Sequence, residues 1–171
     1  MFGSETIFLR IAEPEDLDFM LLTENNPEYW HVSGTQFPYS RFELESFILN
    51  NSHDLFSEKQ IRLMICLNHS AQPIGMVDLF DYHPMHRRAG LGIIVDERFR
   101  NQGMASQALT LVSDYAENTL QLHQLFCEVH ANNTASLHLF EKTGFVKIGL
   151  KKQWEFVSRQ WQDVFFLQKL F

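Results

Sequence analysis

The sequence predicts an α/β fold in which a mixed sheet carries helices on both faces. Three observations predict it. Seven short apolar or alternating runs read as strands. Four stretches carry helix-start signals or apolar residues at helical spacing. The segment 89–130 runs strand, helix, strand, which places two strands parallel or splayed beside antiparallel hairpins.

The elements follow in order. Thr6–Ile11 alternates as a strand. Pro14 suits the first turn of a helix, and Glu13, Glu15 and Asp16 suit its positive N-terminal end; the helix runs to about Glu24 and stops at Asn25-Asn26-Pro27. Residues 28–39 read as a loop rich in aromatic and small residues (Tyr29, Trp30, Gly34, Phe37, Pro38, Tyr39), either core cover or a wall beside a substrate. Ser40 with Glu43 forms a capping box for a helix to about Asn50. Arg62–Leu67, Pro73–Tyr82 and Ala89–Val95 are strands, the first two joined by the turn Asn68-His69-Ser70. From Met104 to about Asn118 the residues Ala105, Ala108, Leu109, Leu111, Val112, Tyr115 and Ala116 fall on one helical face. Leu125–His130 is a strand, and Asn133–Thr143 is a helix closed by Gly144. Phe145–Val157 and Trp161–Leu167 form a hairpin around Ser158-Arg159-Gln160. The order is β-α-α-β-β-β-α-β-α-β-β. No repeat or linker interrupts it, so residues 1–171 read as one domain.

Composition narrows the function. The chain is 45% hydrophobic and 20% charged, an ordinary globular balance. No apolar run approaches the length of a membrane span. Met1–Glu5 lacks a positive segment followed by an apolar one, so no secretory signal and a cytoplasmic chain are expected. The formal charge of -7, without a basic block, argues against a nucleic-acid binder. Cys66 and Cys127 each lie in a strand-like run and are expected to be buried, reduced thiols. His83 and His86 lack the further ligands a metal site needs, so no metal is expected.

The most informative segment is Ile93–Ala105, where a strand enters a polar turn that opens a long helix. Unpaired N–H groups and the helix dipole make such a turn a pyrophosphate site. Gly103 allows close backbone approach, Arg100 adds a cation, and small Ala105 avoids crowding. No Gly-Lys-Ser/Thr follows, as a P-loop requires, and no GxGxxG is present. Downstream, Asn133 stands at a helix start, where its amide can cap the helix or bond an amide-bearing ligand arm.

Arg100-Asn101-Gln102-Gly103-Met104-Ala105 is similar to the Gln/Arg-x-x-Gly-x-Gly/Ala turn of the GNAT superfamily of N-acetyltransferases. Asn133–Phe145, with Ser136, Phe140 and Gly144, resembles that family's Asn-x-x-Ser-x-x-Leu-Tyr-Glu-Lys-x-Gly-Phe segment. His86–Ala89 and the final hairpin are similar to spermidine or diamine acetyltransferases and to enzymes that acetylate protein N-termini. The resemblance implies the acyl-CoA N-acyltransferase fold, acetyl-CoA as cosubstrate, and a small-molecule amine or a peptide N-terminus as acceptor. It implies that residues 100–105 cradle pyrophosphate, that Ile93, Ile94 and Val95 line the cofactor arm with Asn133, Ser136 and Phe140, and that a backbone N–H near Ile94 or Val95 stabilises the oxyanion. It also implies self-association, and an edge strand of the final hairpin suits a homodimer.

The sequence departs from the family pattern in two places. Phe140 stands where a thiol-protonating Tyr is usual, and Gly90 where a glutamate base sometimes stands. Asp78 is the preferred replacement, with Asp81, Tyr82, His83, His86 and Glu128 as further candidates; Asp78 and Asp81, three apart in a strand, face opposite sides. The acidic residues that bind polyamine in the resembled enzymes are replaced by Thr35 and Gln36, leaving Glu24 and Glu28 as substitutes. A non-catalytic acyl-CoA-binding module is the competing reading.

Overall fold

The computed structural model describes residues 2–33, 37–50 and 55–171. Eight strands form one sheet: β1 (Phe2–Gly3), β2 (Ile7–Ile11), β3 (Ile61–Leu67), β4 (Pro73–His83), β5 (Arg88–Val95), β6 (Gln124–His130), β7 (Val146–Val157) and β8 (Gln160–Leu170). They lie in the order β1-β2-β3-β4-β5-β6-β8-β7. Among the described residues six α-helices accompany them: α1 (Leu17–Glu24), α2 (Pro27–Ser33), α3 (Arg41–Asn50), α4 (Leu55–Glu58), α5 (Met104–Asn118) and α6 (Thr134–Lys142). The expected strands and helices are all present. Strand β1 and helices α2 and α4 are additional.

Alternation along the strands splits the apolar residues between two layers. One face packs Ile65, Val77, Leu91, Leu125 and Leu167 against Ala108, Leu109, Val112 and Ala116 of α5. The opposite face packs Met64, Cys66 and Met76 against Leu17 and Met20 of α1 and Leu44 and Ile48 of α3. Both cysteines are free and buried. Burial pushes the Cys66 thiol up to about 11 and that of Cys127 to about 12.

Local chemistry fixes the helix starts. Pro14 opens a single 3-10 turn, Pro14–Asp16, that leads into α1. The Asp16 carboxylate accepts from Arg10 at 2.5 and 2.8 Å and from the Glu13 N–H, tying this turn to β2. At α3 the capping box forms as expected: Ser40 N–H donates to Glu43 at 2.7 Å and Glu43 N–H to Ser40 Oγ at 3.2 Å.

One correction concerns residues 28–39, expected as a loop. Pro27 does not only end the preceding segment; it occupies the first position of α2, where its missing N–H leaves no helical bond unmade. Tyr29 is buried, and Trp30 Nε1 donates to the Glu24 carbonyl at 2.8 Å. Gly34, Thr35 and Gln36 lie outside the described residues.

All neighbouring strands are antiparallel except β5 and β6. These two pair in parallel through only three positions, Arg88 with Gln124, Ala89 with Leu125 and Gly90 with Phe126. Beyond Gly90, β5 stays bonded to β4 through Val95, while β6 stays bonded to β8 through His130. The sheet therefore opens into a V between residues 91–95 and 127–130.

Candidate functional site

The open V ends at the turn that begins α5. The turn is held rigidly. Asp96 Oδ1 accepts from Arg98 N–H at 2.9 Å, and its carboxylate pairs with the Arg98 guanidinium at 2.7 Å. That side-chain bond holds the Asp96 carboxyl below its ordinary range. Gln102 Nε2 donates to the Arg98 carbonyl at 3.0 Å, and Arg100 Nε to the Val95 carbonyl at 3.0 Å. The Arg100 guanidinium also lies over the Tyr29 ring, 5.2 Å from its centroid. Asn101 (φ 60) and Gly103 (φ 79) both adopt the left-handed conformation. Such turns direct successive N–H groups into one concavity, a nest suited to an anion. A Cβ added to Gly103 would meet no atom of the described residues within 4 Å, so among them the space over the turn is open. Met104 and Ala105 then start α5 with half-buried side chains.

The register assigns the backbone groups of β5. Asp96 N–H donates to the Ile74 carbonyl, and Gly75 pairs with Val95 and Met76 with Ile94. In an antiparallel ladder, hydrogen-bonded pairs alternate with non-bonded ones. Ile94 therefore shares the bonded class with Asp96, and its N–H and C=O face β4. Of the two positions expected to supply an oxyanion donor, Ile94 or Val95, Ile94 turns its N–H to β4 and Val95 does not. The groups turned into the V are those of Ile93 and Val95, one residue to either side, consistent with the bond from Arg100 to the Val95 carbonyl.

Across the V, Asn133 caps α6 by accepting from Ser136 N–H at 3.1 Å. Phe140 is buried and meets Phe145 edge-to-face with centroids 5.1 Å apart.

On the α1/α3 face a cavity of about 470 Å³ is lined by Glu24, Tyr39, Glu43, Phe47, Arg62 and Asp78, among others. Arg62 is its central cation. Its Nε and Nη2 donate to the two oxygens of Asp78 at 2.8 Å each, and its Nη1 contacts Glu24. Burial pulls the Arg62 guanidinium down, but the Asp78 and Glu24 carboxylates outweigh it and hold it above its ordinary value. Glu24, expected as a substitute for the polyamine-binding acids, is a buried partner of Arg62. Glu28 is exposed on α2.

The remaining candidates separate. Asp81 sits exposed at a strand irregularity with φ 49 and is not among the cavity residues, whereas Asp78 is. Tyr82 is buried against Phe56. His83 and His86 stack with centroids 4.2 Å apart, and among the described residues no group of three or more His, Cys, Asp or Glu could hold a metal ion. The position of Gly90 is covered by Phe80: a Cβ there would fall 2.4 Å from the ring. Phe80 meets Phe126 edge-to-face, and Phe126 stacks on Phe166, so an aromatic row crosses the V on this face. Two polar contacts flank it, the ion pair of Glu128 with Lys151 at 2.5 Å and the contact of His130 Nε2 with the Glu155 carboxylate at 2.5 Å. The sequence singled out neither pair. Glu155 reaches His130 from beyond a register shift between Lys151 and Glu155 that no local pattern announces.

Comparison with known proteins agrees with this geometry. A family model described as an acetyltransferase (GNAT) domain matches residues 6–146. The spermidine N(1)-acetyltransferase of Escherichia coli K12 is 29% identical over 167 residues, covering 95% of this chain and 85% of that protein. The crystal structure of spermidine N-acetyltransferase from Vibrio cholerae in complex with CoA and spermine superposes with a TM-score of 0.88 at 28% identity, covering 98% of this chain and 96% of the other. A dodecameric structure of the Vibrio cholerae enzyme superposes with a TM-score of 0.82 at 29% identity, covering 98% and 95%.

Proposed function

The chain belongs to the acetyltransferase (GNAT) family, and from that premise we propose that it transfers the acetyl group of acetyl-CoA to a primary amine of a polyamine or a similar small polycation. The observation that carries this reading is the nest at Asn101 and Gly103, set at the start of α5 and at the mouth of the V.

The residues present fit acetyl-CoA. The open space over Gly103 admits a pyrophosphate to the N–H groups of residues 101–105, and Arg100 adds a cation beside it. Ile93 and Val95 offer unladdered backbone groups along the V, and Asn133 stands across it. The thioester supplies an activated acyl group. The chain's part is to hold its carbonyl against an N–H of β5, where a preorganised donor stabilises developing negative charge, and to admit the amine from the α1/α3 face. Attack is direct, within a ternary complex. Phe140 has no proton to give, so the sulfur leaves as thiolate without help from that position.

The cavity supports a cationic acceptor. Among the described residues its lining sets three carboxylates, Glu24, Glu43 and Asp78, against one guanidinium, Arg62, a net of two negative charges. Asp78, held at both oxygens by Arg62, acts as a fixed charge of the acceptor site. Self-association belongs to the same reading. Strand β7, at the edge of the sheet, exposes Val146, Ile148, Leu150, Trp154 and Phe156. Light scattering is expected to give a mass above that of the monomer, and a monomer at high concentration would remove this part. The buried free thiols suit a reducing compartment, the cytoplasm. Among the described residues, no helix is long and apolar enough to cross a membrane.

The test is thiol release from acetyl-CoA with spermidine, spermine, putrescine, N-terminal peptides, aminoglycosides and amino sugars, with Gly103→Glu as the control. Turnover with a polyamine, lost in Gly103→Glu, is expected. Turnover with a peptide alone would move the acceptor class to protein N-termini. Tight acetyl-CoA binding without turnover on any amine would favour the binding-module reading, which Phe140 and the covered Gly90 motivate.

A further inference from the structure

Resting on the acetyl-transfer reading, we propose that Phe80 sets the length of the acyl group that the protein transfers. The V has a mouth and an apex. Its mouth is the turn at residues 100–105, where the nest of Asn101 and Gly103 lies. Its apex is the last parallel pair, Gly90 with Phe126. A donor whose pyrophosphate sits in the nest runs down the V, so its acyl end lies deepest and points at the apex. What closes the apex therefore limits the acyl chain.

Both faces of the apex are closed. On the α5 face Leu91, Leu125 and Cys127 are buried in the core with Ala108 and Val112. On the opposite face two rings meet over β5: Phe80 from β4 and Phe126 from β6, edge-to-face with centroids 6.1 Å apart. Their strands stand about two strand spacings, or 10 Å, apart, so the rings lean across the strand between them. Glycine permits this. A Cβ at Gly90 would clash with the Phe80 ring, and one at Gly92 would lie 3.7 Å from it. The ring thus covers Gly90 and reaches up to Gly92, one residue short of the Ile93 N–H that is turned into the V. Burial follows the same gradient: Gly90 is buried, whereas Gly92, Ile93 and Ile94 are half-buried. An acyl carbonyl held at Ile93 brings its methyl to the edge of this ring. A further methylene needs the ring's own volume. Phe80 yields little, because Phe126 stands against it and is itself stacked on Phe166. In the step the N–C bond forms, the C–S bond breaks, the sulfur leaves as thiolate and the proton from nitrogen passes to solvent. None of this depends on acyl length, so the discrimination is steric.

The experiment is kcat/KM for acetyl-, propionyl- and butyryl-CoA at one fixed amine, read as donor ratios, with the Kd of each donor from calorimetry. The chains compared are the unaltered protein, Phe80→Leu, Phe80→Ala and Phe126→Leu. Phe80 also borders the acceptor cavity, so its variants change the fit of the amine. That change is shared by all donors and cancels in the ratio, as does any loss of folded protein. The unaltered protein is expected to prefer acetyl to propionyl by about 10- to 200-fold, the range for one methylene in an apolar pocket, and to bind propionyl-CoA about 10-fold more weakly. Phe80→Ala is expected to bring propionyl within about threefold of acetyl in both measures and to make butyryl-CoA a substrate, and Phe80→Leu to move the ratios the same way by a smaller factor. Equal use of acetyl and propionyl by the unaltered protein overturns the proposal. So does a ratio unmoved in both Phe80 variants, or moved by Phe126→Leu alone. If Phe80→Ala does not fold, Phe80→Leu decides. No turnover by the unaltered protein on any amine defeats the transfer reading itself, a separate result, and the Kd ratios then decide whether Phe80 closes the apex.

Discussion

The two sides of the V are built on different principles. The turn side is made of backbone: a nest of two left-handed residues, a helix start and the unladdered edge of β5. The cavity side is made of side chains: the Arg62–Glu24–Asp78 cluster, the Phe80–Phe126–Phe166 row, and the Glu128–Lys151 pair. Backbone groups need no particular residue except where conformation demands one, as at Gly103. Side-chain clusters need every member, because a buried charge that loses its partner keeps its desolvation penalty. Substitutions should therefore damage function without fold on the turn side, and fold together with function on the cavity side.

That contrast can be broken by ranking stabilities. Arg62→Met should have the largest effect, about 3–5 kcal/mol in urea unfolding, because it strands Glu24 and Asp78. A loss below about 1 kcal/mol would mean the cluster is solvated and the contrast is false. Gly90→Ala comes next, at about 1–3 kcal/mol, from overpacking against the Phe80 ring. Phe80→Ala in the same chain should relieve most of that loss, and additive effects would show that the two residues do not compete for the space. Gly103→Glu should cost least in stability, about 1 kcal/mol for a left-handed residue with a Cβ. Yet it should weaken acetyl-CoA binding about 100-fold by calorimetry, since the side chain fills the space over the nest. Near-normal binding would remove the turn from the site.

The same division governs what the sequence made legible. Helix α5 is found with its boundaries intact, because Ala108, Leu109, Val112 and Ala116 report a buried stripe directly. The turn at 100–105 is readable because only certain residues tolerate its backbone. Which of Ile94 and Val95 turns its N–H away from β4 was not legible, since ladder parity is a property of pairing with β4 and of no residue in β5. Helix α2 was missed because Pro27 signals both an end and a beginning. The Arg62 cluster was hidden because Glu24 and Asp78 lie 38 and 16 residues from Arg62, Asp78 meeting it through the register of β3 with β4 and Glu24 from the end of α1.

The three-position seam between β5 and β6 bears on how the molecule comes apart. It divides the sheet into a five-stranded half and a three-stranded half joined by little direct pairing. Helix α5 packs on β2, β4, β5, β6 and α6 and so bolts the halves together. A ligand held at the first turn of that helix and between the strands it spans therefore clamps both halves at once. By mass action such a ligand raises the unfolding free energy by about 2.7 kcal/mol at a hundred times its Kd. The melting temperature of this chain thus serves as a gauge of donor occupancy, independent of any acceptor.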